Sequence, residues 1–203
     1  MDTLSRRDFL VVAAAAGGGL LLGCRVSGRR ADDAAAAGAA DGASAGEFAN
    51  AFVRIGTDGR VTLITPQVEM GQGVYTAMPM LVAEELEVGL DQVTVEHAPP
   101  NDKLYANALV GFQMTGASSS VRIFYEPLRN AGAAARTMLV AAAATTWGVD
   151  PSACRAQRGV VTHGPSGRSL GYGALANKAA EQPVPTQIVL KDPKQLSEKV
   201  TAA

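Results

Sequence analysis

The sequence predicts an α+β fold, a mixed sheet with helices packed on it. Three observations carry this. Short β-rich runs sit around an Asp-Gly pair near the start of the patterned region. A run of apolar residues at three- and four-residue steps marks one long helix. Strand-type and helix-type patterns then alternate to the C-terminus without any internal repeat.

The elements follow in order. Phe52-Val53-Arg54-Ile55 and Val61-Thr62-Leu63-Ile64 flank Thr57-Asp58-Gly59-Arg60, the pattern of a β-hairpin. A Gly-rich loop leads to a helical pattern from about Thr76 to Val88, with Pro79 expected in its first turn and Gly89 as its stop. Val93-Thr94-Val95-Glu96 alternates as a strand. Residues 98–117 show no periodicity, and a loop of that length inside a compact region is commonly functional. Val121, Phe124, Leu128, Ala131, Ala135, Met138, Ala142 and Trp147 share one helical face, with Pro127 expected to kink the helix or split off its first turns. Gly148 and Pro151 end it. Short strands around Val160-Val161, a Gly164-Pro165-Ser166-Gly167 turn and a short helix near Tyr172 to Ala180 complete the pattern.

Ahead of this region lies a segment of another kind. Ser5-Arg6-Arg7-Asp8-Phe9-Leu10 opens an apolar run from Phe9 to Leu22, which reads as a twin-arginine export signal over residues 1–24. The run is shorter than the ~20 residues of a spanning helix. Leu21-Leu22-Gly23-Cys24 matches a lipoprotein cleavage box, which makes Cys24 either a lipid anchor or a spare signal-peptide cysteine; Ala43-Ser44-Ala45 is an alternative cleavage site. Residues 25–47, built of Ala, Gly, Asp and Ser, bury too little apolar surface to order themselves and are expected to be a disordered linker. The folded unit is expected over residues 48–195, with 196–203 a tail. The expected destination is the periplasm, by a route that carries folded chains.

Composition narrows the chemistry. The net charge of -1 over 203 residues gives no nucleic-acid footprint. Two cysteines and two histidines form neither a disulfide framework nor a zinc or iron–sulfur spacing. His97 and His163 read as ordinary surface or turn residues, and Glu84-Glu85 as a solvated helix face. No protein metal ligand and no catalytic residue is assigned. Two stretches remain, each just before a helix. In Glu69-Met70-Gly71-Gln72-Gly73, glycines let the backbone approach a ligand while the Gln72 amide offers donor and acceptor. In Thr115-Gly116-Ala117-Ser118-Ser119-Ser120, free helix-start amides and three hydroxyls make a seat for phosphate. Each also reads as a plain strand-to-helix turn or an N-cap run. There is no Lys after the glycines as a P-loop needs, no G-x-G-x-x-G and no Ser–His–Asp arrangement.

Taken in order, these motifs resemble a family. Met70-Gly71-Gln72-Gly73, Ala83-Glu84-Glu85-Leu86, Thr115-Gly116-Ala117-Ser118-Ser119-Ser120, Tyr125-Glu126-Pro127-Leu128-Arg129, Gly132-Ala133-Ala134-Ala135-Arg136 and Leu190-Lys191-Asp192-Pro193-Lys194 are similar to the start of the large (beta) subunit of isoquinoline 1-oxidoreductase-type enzymes. These belong to the xanthine dehydrogenase and aldehyde oxidoreductase superfamily. The resemblance runs from Asn50 to Lys194. It implies part of a molybdenum-cofactor-binding domain in an enzyme that oxidises N-heteroaromatics or aldehydes with water as oxygen source. It further implies molybdopterin cytosine dinucleotide as the molybdenum carrier, with Gly71, Gln72 and Gly73 near the pterin and Gly116, Ala117, Ser118, Ser119 and Ser120 at the pterin or diphosphate. The implied partners are a small [2Fe–2S] subunit, a cytochrome c as candidate electron acceptor, and the large subunit's further domains. The family's base, a glutamate near the far C-terminus of a much longer chain, has no counterpart here, so this chain alone is expected to be inactive. The alternative is an exported non-enzymatic binding or structural module, lipid-anchored if Cys24 is modified.

Overall fold

The computed structural model describes residues 51–195 and the backbone of three short strands before them. Arg6-Arg7, Cys24, the linker 25–47 with the alternative cleavage site at residues 43–45, and the tail 196–203 lie outside the described residues.

The first sheet has six strands in sequence order: β1 (Val11–Ala15), β2 (Gly19–Gly23), β3 (Phe48–Ala49), β4 (Val53–Ile55), β5 (Val61–Thr65) and β6 (Val93–His97). β1 and β2 are two stretches of the apolar N-terminal run, paired antiparallel with Val11 opposite Gly23. β4 and β5 form the expected hairpin, Val53 opposite Leu63, around the turn at Gly59. Its turn is tight because the Asp58 carboxylate accepts the Arg60 amide at 3.0 Å. The second sheet is antiparallel, β7 (Cys154–Gln157), β8 (Val160–His163) and β9 (Ser169–Gly171).

Among the described residues four α-helices accompany them: α1 (Val74–Leu86), α2 (Asp102–Tyr105), α3 (Ser120–Trp147) and α4 (Tyr172–Ala180). The long helix and α4 stand where the periodicity puts them, and Gly148 closes α3 in the left-handed conformation, φ 65°. Three details differ from expectation. α1 starts two residues earlier than Thr76, so Pro79 stands in the second turn and the Tyr75 carbonyl loses its usual donor. Its end is Glu87 at φ 61°, before Gly89, because the Glu87 and Val88 amides both fold back onto the Ala83 carbonyl. And α3 continues through Pro127 without splitting, held by packing of Phe124 and Leu128 in the core.

Burial explains the arrangement. Ile55, Leu63, Met78, Leu86, Leu128, Met138, Leu139 and Leu175 are fully buried between the sheet and the helices. Phe52 stacks edge-on against Tyr105 and Phe124, with ring centroids 5.8 and 6.2 Å apart. The two buried phenols find partners, Tyr105 on the Ala51 carbonyl and Tyr172 on the Leu86 carbonyl. α1 and α3 pack closely at Gly132, where a β-carbon would stand 2.9 Å from the Val82 carbonyl oxygen.

The direction of one strand pair decides where the long loops emerge. β5 and β6 are parallel, Val61 opposite Val93 and Thr65 opposite His97, with α1 as the crossover between them. The loops after β5 and after β6 therefore leave the same carboxyl edge of the sheet.

Among the described residues, no helix is long and apolar enough to cross a membrane.

Candidate functional site

The loop after β5 is organised by Glu69, a residue to which the sequence alone gives no role. Its carboxylate accepts the amides of Gly71 (2.7 Å), Gly73 (2.9 Å) and Tyr75 (3.0 Å), wrapping the chain into the start of α1. These amides, that of Tyr75 foremost and that of Gly73 next, hold the carboxyl below the usual glutamate range. An acid just before a helix start is the available signal for such a cap. Gly71 and Gly73 take φ of 93° and 81°, a region that side chains with a β-carbon rarely enter. The Gln72 amide closes the loop on itself. Its oxygen accepts the Met70 amide at 2.5 Å and its nitrogen donates to the Val68 carbonyl at 2.7 Å. One N–H and one lone pair of that exposed amide stay available to a ligand.

The loop after β6 ends in the second Gly-rich stretch. Ala117 and Ser118 have φ of 55° and 50°, so the chain turns left-handed immediately before α3. The three serines diverge. Ser119 is fully buried, donating to the Gly116 carbonyl at 2.7 Å and accepting from the Asn107 side chain at 2.7 Å. Ser120 donates to the Gln67 side-chain oxygen at 2.7 Å. Ser118 is exposed. The sequence places three hydroxyls in a row; the fold turns two of them inward as structure and leaves Ser118 outward with the first-turn amides of α3, which have no intrahelical partner.

The two loops meet. The Val68 amide donates to the Thr115 hydroxyl oxygen at 2.9 Å, and buried Gln67 donates to the Met114 carbonyl at 3.1 Å while accepting from Ser120. Gly71, Gln72, Gly73 and Gly116, Ala117, Ser118, Ser119, Ser120 thus lie along one edge of one sheet. Gln67, Thr115 and Asn107 stitch it together, and sequence reasoning misses all three in that role. The one signal for Gln67 is a polar residue closing the β-rich run Val61–Thr65. Around the edge stand exposed apolar side chains: Val68, Met70, Leu109, Val110, Phe112 and Val121.

Three other residues land differently from expectation: Glu84, Glu85 and His163. Glu84 and Glu85 are buried, 6% and 0% exposed, where a solvated face was expected; Arg129 reaches Glu85 at 2.7 Å across the helix crossing. His163 is buried and bonds the Ser166 hydroxyl at 2.7 Å. His97, at the carboxyl edge of β6, is exposed as expected and hydrogen-bonds the Tyr75 phenol, their rings 5.5 Å apart. Among the described residues no three His, Cys, Asp or Glu side chains gather as a metal site. Cys154 is a free, buried thiol whose burial pushes its pKa up.

Comparison with known proteins gives the family. The family model described as "Molybdopterin cofactor-binding domain" matches residues 15–200. The beta chain of isoquinoline 1-oxidoreductase from Brevundimonas diminuta is 42% identical over 173 residues, 85% of this chain and 22% of that protein. The membrane-bound aldehyde dehydrogenase [pyrroloquinoline-quinone] of Gluconacetobacter polyoxogenes is 31% identical, covering 61% of this chain and 15% of its own. A nicotinate dehydrogenase chain of Pseudomonas putida is 32% identical, covering 61% and 10%. The chain therefore spans about a fifth or less of the length of these relatives.

Proposed function

The chain belongs to the molybdopterin cofactor-binding domain family, and from that premise we propose that its paired loops cradle one elongated cofactor within a larger molybdenum-dependent oxidoreductase. The observation that carries the reading is the Val68–Thr115 bond, which fastens a Gly-Gln-Gly turn to a helix start at one sheet edge.

The donor set fits such a group. Gln72 keeps one N–H and one lone pair, the complement of a pterin's amide-like edge. The first-turn amides of α3 and the Ser118 hydroxyl present donors and the positive end of a helix to a phosphate. Left-handed backbone at Gly71, Gly73, Ala117 and Ser118 brings those donors to the surface instead of into the core. When bound, the cofactor supplies the redox centre for hydroxylation. The chain's own part is to bind and orient it. Ser119, Ser120 and Gln67 hold the cradle's shape from below, and the apolar side chains of Val68, Met70 and Phe112 line its rim, where a covering partner surface would exclude water.

The finer assignments belong to the same proposal. The cofactor is the molybdopterin cytosine dinucleotide form; the substrates are N-heteroaromatics or aldehydes; electrons leave through a separate [2Fe–2S] subunit and then a cytochrome c. The chain by itself does not turn over substrate. It is exported by the twin-arginine route, signalled by Arg6-Arg7, and is lipid-anchored if Cys24 is processed.

The test is direct. The complete enzyme is expressed with the molybdenum cofactor pathway intact, and bound molybdenum and cytidine nucleotide are measured by mass spectrometry. Gln72→Ala and Ser118→Ala each lower the content of both, Ser118→Ala at unchanged thermal stability. Wild-type content in both variants overturns the cradle.

A further inference from the structure

The chain leaving α4 does not trail off. It returns as an irregular strap and is seized by its main chain. The Lys191 amide donates to both oxygens of buried Glu85, at 3.2 and 3.3 Å. Arg129 donates to the Lys191 carbonyl at 2.6 Å, and Arg136 to the Val189 carbonyl at 3.2 Å. The same two arginines serve the helix crossing: Arg129 places Nε and Nη2 on Glu85 at 2.9 and 2.7 Å, and Arg136 donates to the Glu85 carbonyl at 2.7 Å. Lys191 adds its ammonium to the Glu87 carboxylate at 2.7 Å and to the Glu84 carbonyl. Val189 itself points outward, 78% exposed, so the capture reads backbone and not that side chain.

We infer that Glu85 is a positioning residue for the two cofactor-binding loops, acting through the α1–α3 crossing, and that docking of the Val189–Lys191 strap completes its set of donors. The inference rests on the cradle proposed above only for the identity of the ligand.

The geometry supplies the reason. α1 and α3 begin directly at the two loops, where Ser120 touches Gln67, and run away from them to meet again at Gly132 and Glu85. From the crossing to either helix start is a lever of roughly 15–18 Å at 1.5 Å per residue. A change of about 4° in crossing angle therefore moves the loops relative to each other by about 1 Å, the scale on which a bound group loses its alignment. Each lever carries one proline, Pro79 in α1 and Pro127 in α3, yet both helices continue through it; at Gly132 a β-carbon would stand 2.9 Å from the Val82 carbonyl oxygen and 3.0 Å from the Glu85 β-carbon, which sets the separation. The angle about that point is set by the apolar packing of Val82, Leu86, Leu128 and Ala135 together with the charges on Glu85 and Arg129. A buried carboxylate needs every donor it can find. If the strap leaves, Glu85 loses the Lys191 amide, and Arg129 keeps Glu85 and the Tyr125 hydroxyl but loses the Lys191 carbonyl.

Hydrogen exchange on the full chain tests this without cofactor, so the outcome is independent of what the cradle binds; molybdenum content of the same variants in the complete enzyme reports on that reading separately. In Glu85→Gln, which keeps the shape and removes the charge, exchange quickens at least ten-fold at the Lys191 amide and also at Gly71, Gly73 and residues 118–122. The amides of β7, β8 and β9 keep their parent rates. Loosening confined to the strap overturns the inference, and so does a uniform rise across the chain, since either marks a merely structural role. Arg136→Gln, a milder change at the edge of the cluster, covers the case in which Glu85→Gln fails to fold: it shows the same two sites loosening together, by a smaller factor, or the inference fails.

Discussion

Helix α1 carries a working glutamate at each end, and the two could hardly be used more differently. Glu69, before its first turn, meets only backbone amides and faces water. Glu85, in its last turn, is fully buried and meets two arginines and a returning strand of chain. The first shapes a loop that must stay accessible. The second fastens helices that must not move. In water a carboxylate is held by what its own neighbours offer, and its loss is local. Out of water it must be matched by charge from distant parts of the chain, so its loss is felt wherever those parts go.

The comparison is sharpest when one partner is removed at the buried end. Arg129→Met leaves Glu85 without its fork and should cost about 3–5 kcal/mol in denaturant unfolding, the range for stranding a buried charge. A cost near zero would make the two ends of α1 equivalent and break the contrast.

The serines repeat the contrast within one turn. Ser119→Ala strands the buried Asn107 amide and should destabilise by about 1–3 kcal/mol, whereas exposed Ser118→Ala should stay within about 0.5 kcal/mol. Equal losses, read by thermal unfolding, would mean that the three hydroxyls act alike. At the exposed end, Gly73→Ala forces a β-carbon into left-handed backbone and should cost about 1–2 kcal/mol, with the change in exchange rate confined to residues 68–75.

The smallest effect is one of pH. The folded-state pKa of Glu69 is depressed, so its contribution to loop order is complete above the ordinary value of about 4.5 and is lost as pH falls below it. Amide shifts of Gly71, Gly73 and Tyr75 should titrate together in that acidic window, and Glu69→Gln should abolish the transition. A titration that persists in the glutamine variant would assign it to another group.

Much was legible in the sequence, and for identifiable reasons. The Asp-Gly turn between β4 and β5, the three- and four-residue spacing from Val121 to Trp147 and the glycine stop at 148 depend on neighbours within a turn or two, so local chemistry suffices. The two Gly-rich stretches were visible because left-handed backbone favours glycine, although at Ala117 and Ser118 the same conformation is taken by residues that gave no such sign. Helix boundaries were less legible: the true start of α1 depends on the Glu69 cap, and its end on a Glu87 whose carboxylate is met by Lys191, more than a hundred residues away.

By itself, then, the sequence determined the first hairpin, the long helix, the order of motifs and the family those motifs mark, though not the short α2 inside the aperiodic stretch 98–117, because periodicity, turn chemistry and motif order are properties of the chain. Only the tertiary structure decided that the parallel pairing of β5 and β6 brings both loops to one edge, that Ser119 and Ser120 turn inward while Ser118 faces out, and that Glu84 and Glu85 are buried. A helical pattern shows which side chains share a face. It does not show what will be laid against that face, and a residue such as Glu85 reads as solvent-facing until Arg129, Arg136 and Lys191 arrive from elsewhere to meet its carboxylate.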